Sequence, residues 1–165
     1  MKIPTPEFIK NDELNEHEKE LLRCALAGED CVLGGGSRPK PDDQTAPAIG
    51  ARLIRFLARG GNDEYPVDPY GVRLAGARIT GTLTLEGCRD LRTLGLNACH
   101  FDKAPILRDA AGQIINFSGS HLPGLQADRL TTTGDVFLRQ GFEAAEVVSL
   151  AGAKIDGDFA CENAA

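Results

Sequence analysis

VRLAGARITGTLTLEGCRDLRTLGLNACHF, residues 72–101, carries its own period. Val72, Leu83 and Leu94 are spaced by eleven, as are Leu74, Leu85 and Leu96, and Ala77, Cys88 and Cys99. Pairs of apolar or small residues at i and i+2 begin at 72, 77, 83, 88, 94 and 99, so the step alternates between five and six. Side chains at i and i+2 lie on one side of an extended strand. Each pair is therefore a very short strand with two inward side chains, and two alternations make one coil of 22 residues.

The register continues downstream. A first column reads Val72, Leu94, Ile115, Val136 and Phe159, and a second Ala77, Cys99 and Ser120 with partners Ile79, Phe101 and Leu122. A third reads Leu83, Ala104, Leu125 and Val148, and a fourth Cys88, Ala110, Leu130 and Ala153. Between pairs fall glycines such as Gly76, Gly81, Gly87, Gly95, Gly119, Gly124, Gly134, Gly141, Gly152 and Gly157, which suit sharp corners. Helical faces do not recur at this spacing. Coils that cannot bury their inward faces alone bury them by stacking. The reading is a mainly β chain: a four-sided parallel β-helix of about four coils of 21–23 residues, with a fifth begun.

Gly-Ala-Arg-Ile-Thr-Gly-Thr-Leu-Thr-Leu-Glu-Gly-Cys (76–88), Gly-Ser-His-Leu-Pro-Gly-Leu-Gln-Ala (119–127) and Leu-Ala-Gly-Ala-Lys-Ile-Asp-Gly-Asp (150–158) resemble a bacterial family related to pentapeptide-repeat proteins. Members are often labelled "oxidoreductase" or "membrane protein" without evident catalytic motifs. The resemblance implies a right-handed, four-sided β-helix with small and large residues alternating inward. Ala77/Ile79, Cys99/Phe101, Ser120/Leu122 and Ala153/Ile155 follow that rule, whereas Leu83/Leu85 and Leu94/Leu96 are large–large.

Upstream, residues 1–70 read as an N-terminal helical segment that caps the solenoid formed by 71–165. The first ten residues are expected to be loose or lightly docked. Asn15–Ala27 has early acids, an Asn to cap it and Gly28 to end it, which predicts a helix. Cys31-Val32-Leu33 suits a short strand, and 34–43 a mobile loop. A second helix is expected over 46–59, with Ile49, Leu53, Phe56 and Leu57 on one face and Arg52, Arg55 and Arg59 on the other. Its apolar face would close the open end of the solenoid core.

Charge excludes some roles. The net −6 divides into −4 over residues 1–70 and −2 over 71–165, with no basic stripe for nucleic acid. No apolar run is long enough to span a membrane, and the first ten residues do not read as a signal peptide. Five cysteines, an odd number, suggest a reducing, cytoplasmic setting in which Cys88, Cys99 and Cys161 are small inward hydrophobes.

Chemistry is sparse. Gly34-Gly35-Gly36 lacks the spacing of a dinucleotide fingerprint, and no P-loop, C-x-x-C or nucleophile elbow occurs, so no cofactor and no catalytic residue is expected. His100 and His121 fall at equivalent places on successive coils, with Asp102 nearby, and are the sharpest candidates for a metal or acid–base site. The bland alternative is two outward histidines in one ladder, and it is the favoured one. At the far end, Phe159 and Cys161 are candidates for end-to-end contact.

Three functions follow. The first is a non-enzymatic module for protein interaction or self-association through the C-terminal coil. The second, implied by the resemblance, is a duplex-DNA mimic acting on a topoisomerase, which the weak charge of the coils opposes. The third is the oxidoreductase of the family labels.

Overall fold

A computed structural model describes residues 2–165. The N-terminal part holds α1 (Glu7–Lys10), α2 (Glu16–Ala27), β1 (Cys31–Val32), a 3-10 turn at Gly34–Gly36, β2 (Ala48–Gly50) and α3 (Ala51–Ala58). The first coil contributes β3 (Val72–Ala75) and β4 (Arg78–Thr80). The second contributes β5 (Leu94–Asn97), β6 (His100–Phe101) and β7 (Ala111–Gly112). The third holds β8 (Ile115–Asn116), β9 (His121–Leu122), β10 (Leu125–Gln126) and β11 (Thr131–Thr132). The fourth holds β12 (Val136–Phe137), β13 (Glu143–Ala144), β14 (Val148–Ser149) and β15 (Lys154–Ile155), and β16 (Phe159–Ala160) opens a fifth.

These strands assemble into four parallel sheets, one per side: β1-β3-β5-β8-β12-β16, β2-β4-β6-β9-β13, β10-β14 and β7-β11-β15. In the first, Val72 pairs with Leu94, Leu94 with Ile115, Ile115 with Val136 and Val136 with Phe159. The first column is thus a true stack, with coils of 22, 21, 21 and 23 residues. Leu74, Ile79, Leu85, Leu96, Phe101, Phe117 and Leu122 line the interior and are almost fully buried.

The third column differs by one residue in the second coil. Thr84 bridges Ile106, so the inward residues are Pro105 and Leu107, both buried, rather than Ala104 and Ile106. Proline fits because the ladder uses its carbonyl, which accepts from the Gln126 N–H at 3.2 Å. On the fourth side, Leu91 bridges Gly112, and Thr132 pairs with both Gly112 and Ile155. A Cβ on Gly112 would lie 3.0 Å from that of Leu91, so glycine leaves the room the leucine fills.

The corners are shared between glycine and other residues. Gly76, Gly81, Gly87, Gly119, Gly141 and Gly152 have positive φ, but so do Ala98, Asp109, Arg129 and Gln140. Gly95 lies within β5, and Gly124, Gly134 and Gly157 do not have positive φ. At Gly134 and Gly157 an added Cβ would press on atoms of the coil below, so close layer contact explains glycine there.

The N-terminal segment closes one end. Helix α2 begins with a full capping box between Asn15 and Glu18 and ends at Gly28 in the left-handed conformation. The second helix starts at Ala51, not at residue 46, because Pro47 leads into β2, where Ile49 pairs with Ile79. Strands β1 and β2 thus add a partial coil before the first, and α2 and α3 pack on β1, β2 and β3. Leu53, Ile54 and Leu57 of α3 are fully buried, which contributes roughly 5–9 kcal/mol before entropy. Glu18, itself buried, accepts from the Gly50 N–H at 3.0 Å and ties the two helices together. The arginines of α3 do not form one free face: Arg52 lies over the Phe8 ring and pairs with Glu13, and Arg55 donates to the Thr84 carbonyl. The first residues are docked, since Ile3, Phe8 and Ile9 pack against the core. No helix among the described residues is long and apolar enough to cross a membrane.

Candidate functional site

On the second side, the residue between each inward pair points outward. Register places Arg78 beside His100, His100 beside His121, and His121 beside Glu143, on β4, β6, β9 and β13. The two imidazoles stack with centroids 5.0 Å apart and planes 3° from parallel. The predicted histidine ladder is therefore present, and Asp102 stands beside it.

What the sequence reading did not anticipate is a cover. Residues 37–47 run across this face instead of forming a free loop. Arg38 donates to the carbonyls of Gly119 and Gly141 at 3.1 and 2.9 Å, and to the Glu143 carboxylate at 2.9 Å. Arg78 donates back to the carbonyls of Pro41 and Asp43 at 2.7 and 3.0 Å, and to Asp102 at 2.9 Å. His100 is left only 7% exposed although it points away from the core.

A signal for the strap lay in Arg38-Pro39-Lys40-Pro41. A residue before proline is biased to extended backbone, so this stretch crosses a flat face without curling up. Glu143 was findable too, had Phe142 and Ala144 been read as an inward pair.

Electrostatics follow from the cover. Burial, then His121 and Arg78, hold the His100 imidazole below its ordinary range, with Asp102 opposing. Arg38 holds Glu143 below the usual carboxylate range. The nearby Cys99 thiol is pushed up to about 12 by burial and stays protonated.

This geometry does not match a zinc site shared by the two histidines. Both Nδ1 atoms are buried without a hydrogen-bond partner among the described residues. Their lone pairs lie in parallel ring planes, however, whereas a zinc ion needs nitrogens converging at about 2.1 Å. Asp102 is 3.8 Å from His100 Nδ1 and is engaged by Arg78. No cluster of three or more metal-ligating side chains occurs among the described residues.

The second candidate lies at the far end. Phe159 on β16 is 48% exposed, Val147 is 75% exposed, and Cys161 is exposed rather than inward. Among the described residues no strand lies beyond β14, β15 or β16, while the edge beside β13 is met by Ala165, whose N–H donates to the Phe142 carbonyl. The other four cysteines are buried, and all five are free. No family model matches the chain, and neither a curated protein nor a solved structure is significantly similar to it.

Proposed function

We propose that the chain is a non-enzymatic β-helical assembly module that associates with a second copy through its last coil. One observation carries this reading, the contrast between the two ends. One end of the core lies under α2 and α3, while at the other, among the described residues, no strand pairs beyond β14, β15 or β16, beside the exposed Phe159 and Val147. A free strand edge next to exposed apolar side chains favours pairing with another strand. Kinship with pentapeptide-repeat proteins belongs to the same proposal, supported by the four sheets and by the small–large pairs on the second side. So does a cytoplasmic setting, supported by five free cysteines.

Solution mass by light scattering tests the association, on the full chain and on Phe159→Asp. The expected result is an oligomer that the substitution returns to monomer, with circular dichroism unchanged. A monomer in both samples overturns self-association.

A further inference from the structure

The strap at 37–47 is held by two clamps that point in opposite directions. Arg38 reaches down from the strap to Gly119, Gly141 and Glu143, and Arg78 reaches up from β4 to Pro41 and Asp43. Between them lies the stacked pair His100–His121. The charged groups around the pair are Arg78 on β4, Asp102 after β6, Glu143 on β13, and Arg38, Lys40 and Asp43 in the strap.

Every carboxylate in that set is already engaged. Asp102 receives Arg78 at 2.9 Å, Glu143 receives Arg38 at 2.9 Å, and Asp43 receives the Thr45 hydroxyl at 2.7 Å. Asp102 is beyond hydrogen-bond reach of His100 Nδ1 at 3.8 Å. The pocket therefore suits neutral rings and offers no free counter-ion to an imidazolium. Protonating His100 would press its charge against the stacked His121 ring, with the Arg78 and Arg38 guanidiniums both opposing it.

We propose that the strap is an acid-released latch, closed over a neutral His100 and opened when His100 takes up a proton. Its sign follows from linkage. His100 is depressed in the closed form and returns to an ordinary value of about 6.5 when the strap lifts. The closed form is thus fully favoured above about pH 6.5 and weakens as pH falls toward the depressed value. Arg38 holds Glu143 below the usual carboxylate range, so the Arg38–Glu143 clamp stays ionised through this window. The remaining histidine, His17, is exposed on α2. Opening would bare the outer face of β4, β6, β9 and β13, and free the Arg38-Pro39-Lys40-Pro41 stretch.

Amide hydrogen exchange on the full chain, corrected for the intrinsic effect of pH, tests the latch. Between about pH 7.5 and about pH 5, protection of residues 37–47 should fall several-fold while β5 and β8 stay protected. The double variant His100→Phe/His121→Phe keeps flat rings that cannot be protonated, and its strap should be equally protected at both values. Arg38→Ala should leave the strap open at both. Equal protection in the wild-type protein, or the same loss in the double variant, overturns the proposal. Should the double variant lose protection in β5 and β8, the His100 titration read by NMR in the wild-type protein decides instead, and a value at or above about 6.5 overturns it.

Discussion

Arg129 stands one coil above Asp109 at the same corner, and both backbones are left-handed, with φ of 59° and 57°. The guanidinium donates to both carboxylate oxygens, at 2.7 and 3.0 Å. The pair is exposed, and an exposed ion pair adds little, whereas a left-handed backbone strains any residue with a Cβ. Arg129→Gly removes both and is expected to raise the urea midpoint. Arg129→Ala loses the pair but keeps the strain, so its midpoint should fall.

A second corner gives the same comparison in the interior of the rod. Gly76 and Ala98 occupy matching places on successive coils, with φ of 84° and 49°. A Cβ at Gly76 would collide with the carbonyl of Leu33, the residue whose N–H docks the N-terminal segment on the Ala75 carbonyl of the first coil. Gly76→Ala should destabilise by about 2–4 kcal/mol, strain plus collision. Ala98→Gly should stabilise by about 0.5–1 kcal/mol, strain relieved less the added freedom of the unfolded chain. Denaturant unfolding of both variants checks the opposite signs.

Ser120 is a buried polar residue with a defined task. Its hydroxyl donates to the Leu96 carbonyl at 2.6 Å and accepts from the Cys99 N–H at 2.9 Å, so it joins the third coil to the second. Ser120→Ala is expected to cost about 1–3 kcal/mol, because two buried backbone groups lose their partner. A change below about 0.5 kcal/mol would show that those groups find another.

Acid stability separates two sets of groups. Asp109, Asp128 and Glu143 are held below the usual carboxylate range, by Arg129, by the Ser149 hydroxyl and by Arg38 respectively. Their contribution is fully present above about pH 4.3 and is lost as pH falls through their depressed values. The melting temperature of the coils should therefore hold down to about pH 4.5 and drop below it. The strap should loosen earlier, and a single transition common to both would contradict the separation.

Much of this was legible because the interior is a narrow column. Val72, Leu94, Ile115 and Val136 can satisfy only an inward role, and a slip of one residue would expose them all. Pro105 is less legible than Ala104 as an inward residue because proline reads as a breaker, although here the ladder needs only its carbonyl. Likewise the start of α3 was obscured: Ile49 completes an apolar helical face and pairs equally well with Ile79 on a sheet. The histidine ladder followed from period alone, but its cover did not. Arg38 meets partners 81, 103 and 105 residues downstream, and no local pattern carries contacts that distant.

The helices over the first coil also set a limit in the language of polymer chemistry. On the proposed self-association the rod would behave as a monofunctional monomer, since α2 and α3, packed on β1, β2 and β3, block one terminus. Head-to-tail propagation into a fibril would have to displace those helices. On the proposed association through the last coil, joining like end to like end stops at a pair.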